Sequence, residues 1–345
     1  MMQNRDPERW RQTQFGGVRQ RVTGGVSGAR CGGAVCLAVA GLSWLLLMSV
    51  GAASHPTGAG GALRAGTTRL ETTGVPVRVA EAAPAARRVP RVPVPRVRAQ
   101  AAIILDPVTG ETLWERNSHD VRPIASITKV MTVMLFLEQA PDLSREVVIS
   151  RRDVYRASIT ALRRGERVTL RDLVHLALVA SDNAAARVLA RVSPWGTTRF
   201  VARMNAKAAE FGLTHTRFTD PSGLDAGNVS SAYEVAQLIA EASERPQVAQ
   251  VMRKRSYRIR TSRRARTIRN TNKLLGTRVD VMAGKTGYID LAGYCFATLV
   301  QLDDQRAVSI VVLGARSVSG RFTEARRLVD WLSTEASVLL TSAAE

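Results

Sequence analysis

Ser126 and Lys129 stand three residues apart at the head of an apolar run, SITKVMTVMLFLEQA. On a helix, positions i and i+3 share a face, so the hydroxyl and the amine can meet. A serine at a helix N-terminus is surrounded by free backbone N–H groups and the positive end of the dipole, which favour a developing oxyanion. A lysine in the first turn of a buried helix feels that dipole as repulsion, and burial disfavours its charge further. A neutral Lys129 amine is a base for the Ser126 proton, which makes an activated nucleophile. Taken alone, the pair reads equally as a capping serine followed by a surface lysine.

Two further clusters carry polar groups suited to the same chemistry. Ser181-Asp182-Asn183 interrupts an apolar helical pattern. Ser181 and Asn183 at i and i+2 of a tight turn can face one way, one passing a proton and the other orienting an amide. Lys285-Thr286-Gly287 lies just before the last strand pair and offers a cation and a hydroxyl to a carboxylate. Gly287 lets a substrate backbone approach closely. Each tripeptide alone is an ordinary turn; the three in order, widely separated in one chain, are far more specific.

Composition narrows the field. The 345 residues carry 49 basic and 29 acidic groups, a net charge of +20, and only five of the basic residues are lysine. Two of those five fall in the two lysine clusters. The charge favours anionic partners: wall polymer, lipid headgroups or nucleic acid. Aromatic residues make up 5%, which argues against a base-stacking nucleic-acid platform. The three cysteines (Cys31, Cys36, Cys295) form neither a disulfide framework nor a CxxC pair, and the four histidines show no HExxH spacing. No metal site is expected.

The elements that must position these clusters are legible in the hydropathy pattern. Residues 1–30 are polar and Arg-rich, and residues 31–53 carry no charge around AVCLAVAGLSWLLLMSV. About 20 apolar residues span a bilayer, and the flanking arginines place the N-terminus in the cytoplasm. The segment reads as a signal-anchor or a signal peptide. Residues 54–99, with VPRVPVPRVR, repeat proline too often for a helix or a central strand and read as an extended disordered linker. Residues 100–345 form the catalytic domain. AAIIL and ETLWERN flank the turn DPVTG as a hairpin. Helices are expected from Ser126, at LRDLVHLALVA capped by Thr169, from about Ala184, over 198–212 and over 231–245. GYCFATLV and AVSIVVLGA form a second hairpin before a terminal helix. The fold class is α+β, an antiparallel sheet covered by helices in three αβα layers.

The three clusters, together with VRPIASITKVMT, LALVASDNAAARVLA, MNAKAAEFGLTHTRFTDPSGLD, NVSSAYEVAQLI, RNTNKLLG and GKTGYIDLAGYC, resemble the penicillin-binding protein and serine beta-lactamase superfamily. More narrowly, they resemble the low-molecular-mass D-alanyl-D-alanine carboxypeptidases and endopeptidases of family S11. The resemblance covers roughly residues 101–340. It implies a beta-lactamase/DD-peptidase-like fold and a bacterial, extracytoplasmic hydrolase of peptidoglycan stem peptides, with a part in cell-wall shape. It implies Ser126 as nucleophile, Lys129 as general base and Ser181 as proton relay. Asn183, Lys285, Thr286 and Gly287 would bind substrate, and the N–H groups of Ser126 and Tyr288 would form the oxyanion hole. Arg321 and Arg269 match cleft positions. The resemblance implies no metal or organic cofactor, and beta-lactams would acylate Ser126.

The short stretch after Lys285 leaves no room for a second, β-rich domain, and short members of this family are often endopeptidases. A serine beta-lactamase is the nearest alternative, but Glu210, Glu234, Glu241 and Glu244 sit in no ExxLN pattern that would supply a deacylating carboxylate. A non-catalytic peptidoglycan-binding scaffold of the same fold is another. The stretch Arg253–Arg269, with nine basic residues and no acid, is expected as solvated strands or an exposed hairpin.

Overall fold

The computed structural model describes residues 94–302 and 306–343. The expected cytoplasmic segment, the apolar stretch 31–53 and the linker as far as residue 93 lie outside the described residues, as do residues 303–305 of the last hairpin turn. Among the described residues no helix is long and apolar enough to cross a membrane.

The first hairpin is β1 (Ala101–Leu105) and β2 (Thr112–Arg116). Asp106 tightens its turn by accepting the N–H groups of Val108 and Thr109. Val97 and Ala99, just ahead of β1, are buried, and the Ala99 N–H donates to Glu324. After β3 (Arg122–Pro123) the chain makes a 3-10 turn, Ala125–Thr128, and enters α1 (Lys129–Leu137). There follow β4 (Glu146–Val148), α2 (Arg151–Val154), β5 (Arg167–Thr169), α3 (Leu170–Val179), α4 (Asn183–Val192) and α5 (Gly196–Glu210). Next come β6 (Val229–Ser230), α6 (Ala232–Ser243), α7 (Pro246–Met252) and the hairpin β7 (Ser256–Arg260) and β8 (Ala265–Arg269). β9 (Asp280–Ile289), β10 (Gly293–Gln301), β11 (Ala307–Ala315) and α8 (Gly320–Ala343) complete the described chain.

Five antiparallel strands form the main sheet in the order β2-β1-β11-β10-β9. Alternation along the strands sorts their side chains onto two faces. Ile103, Leu105, Val311, Leu313, Ala297 and Leu299 join the core of the helical layer containing α1, α3, α4 and α6. Ile104, Ile310, Val312, Phe296 and Val300 face Phe322, Ala325, Leu328 and Leu332 of α8. Helix α1 is buried along nearly its whole length, as its apolar circumference requires. The result is the expected α+β fold, an antiparallel sheet between helical layers.

Two differences from the expected order matter for function. The sheet has an additional strand, β9, and Lys285-Thr286-Gly287 lies inside it rather than in a turn ahead of the strand pair. Two glycines in DVMAGKTGYI weaken the strand signal, yet nine pairings with β10 hold it. The basic stretch forms the exposed β7–β8 hairpin, anchored by the buried Ile259 and Ile268.

Candidate active site

Ser126 lies in the 3-10 turn, not in the α-helix the sequence suggests. Residues i and i+3 eclipse in a 3-10 turn, which stacks Ser126 over Lys129, the first residue of α1. Lys129 Nζ is 2.7 Å from Ser126 Oγ, 2.6 Å from Asn183 Oδ1 and 2.5 Å from the carbonyl oxygen of Ser222. All three partners are neutral. Lys129 is fully buried, and Ser126 is half-buried at the mouth of the site.

Burial holds the Lys129 ammonium down, to a pKa of about 7. Asp220 and Asp182 pull the other way, and Arg187 adds a smaller push downward. Asn183 Oδ1 and the Ser222 carbonyl can only accept, so they claim two N–H groups of the neutral amine. The third direction, toward Ser126 Oγ, is left for the lone pair.

The Ser181-Asp182-Asn183 turn is held from both sides. Asp182 caps α4 by accepting the Ala185 N–H, and its second oxygen accepts the Ala161 N–H. Burial raises the Asp182 carboxyl above its ordinary pKa. Asn183 donates through Nδ2 to the Ala157 carbonyl at 2.7 Å and to Ser158 Oγ at 3.2 Å. Its Oδ1 is thereby aimed at Lys129. Ser181 has φ 58° and Ala125 has φ 48°, left-handed values that cost a non-glycine residue about 1–3 kcal/mol each. Both strained residues adjoin or belong to the proposed chemistry.

β9 is the terminal strand of the sheet and lies against the 3-10 turn. A Cβ on Gly287 would come within 2.7 Å of the Ile124 carbonyl oxygen and 3.1 Å of the Ser126 nitrogen, so only glycine permits this approach. Lys285 Nζ donates to Ser181 Oγ at 2.7 Å and to the Thr286 carbonyl at 2.8 Å. Thr286 Oγ1 is 2.7 Å from Thr271 Oγ1. Burial, then the charges of Lys129 and Arg321, push the Lys285 pKa well below that of a free lysine. Two buried amines in one cleft therefore oppose each other's charge.

The remaining sequence candidates are placed as follows. Tyr288 follows Gly287, with an exposed ring stacked on Tyr294 and its hydroxyl on Asp290. Arg321 is buried behind β9, where Nη1 donates to the carbonyls of Gly287 and Cys295. Its Nε has no partner. Arg269 ends β8 at the rim of a groove bordered by Asp182.

The loop Asp220–Gly223 carries a contribution that the sequence reading missed. Asp220 accepts the N–H groups of Ser222, Gly223 and Asp225, the Ser222 hydroxyl and the Asn228 side chain. This fixes the Ser222 carbonyl on Lys129. Gly223, at φ +78°, passes so close to the 3-10 turn that a Cβ would lie 2.0 Å from the Ala125 carbonyl oxygen. The sequence signal was the glycine in TDPSGLD, because a backbone acceptor leaves no side-chain signature.

Three of the glutamates considered for a deacylating role are engaged elsewhere. Glu210 pairs with Lys207, Glu241 with Arg245, and Glu234 with His215 and Thr216.

Residues 88–317 match the family model described as D-alanyl-D-alanine carboxypeptidase, Peptidase S11. The chain is 34% identical over 250 residues to a D-alanyl-D-alanine endopeptidase of Pseudomonas aeruginosa, covering 71% of this chain and 80% of that one. Among solved structures it resembles a D-alanyl-D-alanine carboxypeptidase from Mycobacterium tuberculosis, with TM-score 0.64 and 31% identity over 70% of this chain and 92% of the other. It also resembles penicillin-binding protein D2 from Listeria monocytogenes in its cefotaxime-bound form, with TM-score 0.62 and 29% identity over 69% and 98% of the two chains.

Proposed function

The chain belongs to the D-alanyl-D-alanine carboxypeptidase family, Peptidase S11, and from that premise we propose how its residues divide the work of a serine peptidase. The enzyme opens D-alanyl-D-alanine peptide bonds of peptidoglycan stem peptides through an acyl-enzyme, and beta-lactams occupy the same site.

Ser126 Oγ attacks the carbonyl carbon while its proton passes to the lone pair of Lys129. The 2.7 Å approach of Lys129 Nζ to Ser126 Oγ, with an amine that is half neutral near pH 7, is the observation that carries this assignment. The N–H groups of Ser126 and Tyr288 receive the oxyanion. Collapse breaks the C–N bond. The leaving nitrogen takes the Ser181 hydroxyl proton, and the Lys285 ammonium replaces that proton across their 2.7 Å contact. Lys129 is then charged and Lys285 neutral, so the acyl-enzyme holds one ammonium group in the cleft. Water attacks the ester next and gives its proton through Ser181 back to Lys285. Ser126 recovers its own proton from Lys129.

Asn183 holds Lys129 and takes the substrate amide. Gly287 admits the substrate strand to the free edge of β9. Thr286 receives the carboxylate beyond the scissile bond. Lys285 and Arg321 supply positive potential around it, and Arg269 stands at the rim of the cleft beyond the Ser181–Asn183 turn. Residues 100–345 are the catalytic domain. Residues 31–53 hold it to the outer face of the cytoplasmic membrane or direct its export, residues 1–30 remain on the cytoplasmic side, and the linker from residue 54 gives reach toward the wall, ending before Val97 and Ala99, which pack into the domain.

Labelling of the full-length chain with a fluorescent penicillin, beside Ser126→Ala, tests the central assignment. A stable band that Ser126→Ala lacks is the expected result. Labelling that survives Ser126→Ala overturns it, and rapid hydrolysis of the penicillin would point to beta-lactamase chemistry. Product analysis with cross-linked and uncrosslinked stem peptides then separates endopeptidase from carboxypeptidase turnover.

A further inference from the structure

An open groove of about 360 Å³ lies between the loop at Ile159–Ala161 and strand β8, beside the Ser181–Asn183 turn. Its inner end is bordered by Ala180 and Asp182, the neighbours of Ser181. Its outer wall is four consecutive β8 residues, Arg266 to Arg269. Consecutive residues alternate between the faces of a strand, so a groove that meets all four follows the strand's edge. Among the described residues β8 pairs only with β7. Its other edge therefore offers unpaired main-chain groups, which suit an extended peptide.

The charge of this wall is uncompensated. Arg266 lies opposite the buried Ile259, and directly opposed residues share a face. Arg266 thus shares the face of the ribbon that carries the buried Ile259 and Ile268, and it lines the groove. Among the described residues neither Arg266 nor Arg269 pairs with a carboxylate. Asp182 does not serve them: it is buried, and its oxygens accept the Ala161 and Ala185 N–H groups. The opposite rim is tied to the site itself, since Asn183 N–H donates to the Ile159 carbonyl and Asn183 Nδ2 to the Ala157 carbonyl. Arg156 and Ser158 hold this rim at φ 49° and 48°. A peptide in the groove is therefore registered against Asn183 and, through it, Lys129.

We propose that this groove is an extended subsite for the acyl-side stem peptide, in which Arg266 selects a carboxylate carried upstream of the D-alanyl-D-alanine bond. The inference rests on the peptidase reading above and adds a specificity-determining residue to it.

Two synthetic peptides ending in D-alanyl-D-alanine test it, identical except for a carboxylate or a carboxamide on the residues upstream. The wild-type enzyme should cleave the carboxylate peptide with a kcat/KM about five- to tenfold higher, the range of partly exposed ion pairs and charge-assisted hydrogen bonds. Arg266→Gln should bring that ratio close to one, Arg266→Lys should keep part of it, and 0.5 M salt should compress it in the wild type. The stoichiometry of penicillin labelling counts folded sites in each variant. A wild-type ratio near one, or a ratio that survives Arg266→Gln, overturns the subsite. Turnover of the carboxamide peptide supports the peptidase reading whichever way the ratio falls, so the two can fail separately.

Discussion

Positive charge is handled in opposite ways in the Lys129 cleft and in the β7–β8 hairpin. The cleft holds two lysines, both fully buried and each bonded to neutral oxygens. The hairpin and its approach carry nine basic residues between Arg253 and Arg269, and among the described residues Arg264 alone of these pairs with a carboxylate, Glu166 at 3.4 Å. Desolvation is the difference. In the cleft it is severe enough to turn an ammonium into an amine near pH 7. On the hairpin, water and salt screen each guanidinium. In a chain so rich in arginine, the two cleft positions are lysine, which suits the proposed chemistry because an arginine cannot give up a proton.

The sharpest way to break that contrast is Lys129→Arg. It keeps the charge and removes the base. Acylation by penicillin should fall by about 10²–10⁴, the usual contribution of a positioned general base. Stopped-flow measurement of the acylation rate checks it, and a rate within a few-fold of wild type would show that the proton of Ser126 goes elsewhere.

Packing separates the two regions as well. Gly223→Ala places a Cβ 2.0 Å from the Ala125 carbonyl oxygen at a φ of +78°. Backbone on both sides must shift, and the left-handed conformation penalises alanine in addition. A loss of about 3 kcal/mol in stability is expected, on the order of overpacking combined with backbone strain. Because the moved carbonyl is that of Ser222, acylation should slow too. Urea unfolding and penicillin labelling, run on the same variant, report the two effects.

The pH dependence follows from the buried amine. Lys129 titrates near 7 in the folded chain against 10.5 as a free side chain. Below pH 7 the amine is protonated and cannot act as base, so acylation should fall about tenfold per unit. For stability, the unfolded chain holds this proton between pH 7 and 10.5 while the folded chain has lost it. The contribution of Lys129 therefore grows more favourable as pH rises through that window. A pH–rate profile with its rising limb centred near 10 would contradict the burial argument.

How much of this was readable before the structure depended on where the information resides. Ser126, Lys129, Ser181, Asn183 and Lys285 announce themselves because the proposed roles fall to side chains, and the structure brings these five together. The 3-10 geometry at Ser126 was not readable, since an apolar run does not distinguish the first turn of a helix from the turns after it. β9 was missed because Gly287, needed for approach to the Ile124 carbonyl, and Gly284, packed against Asn272, are the same residues that weaken a strand pattern. The Ser222 carbonyl was invisible for a simpler reason: any residue could supply it, and only the Asp220 network makes it point at Lys129. Arg321 was placed near the cleft by resemblance, but its bonds to the Gly287 and Cys295 carbonyls depend on the packing of α8 on β10 and β11.

The smallest predicted effect completes the contrast on the hairpin itself. Arg258 follows Tyr257 and precedes the buried Ile259, so its side chain points away from the groove that Arg266 faces. Among the described residues it has no carboxylate partner, and the hairpin already carries more like charge than it can neutralise. Arg258→Gln should therefore change stability by no more than about 0.5 kcal/mol, with relief of repulsion making a slight gain as plausible as a slight loss. It should also leave the carboxylate-over-carboxamide preference of the wild type intact. If Arg258→Gln erodes that preference as far as Arg266→Gln does, the selectivity comes from the summed field of the hairpin. If only Arg266→Gln erodes it, the selectivity comes from a positioned guanidinium in the groove. Two substitutions of the same type, eight residues apart in sequence and on opposite faces of one ribbon, thus distinguish a diffuse potential from a site.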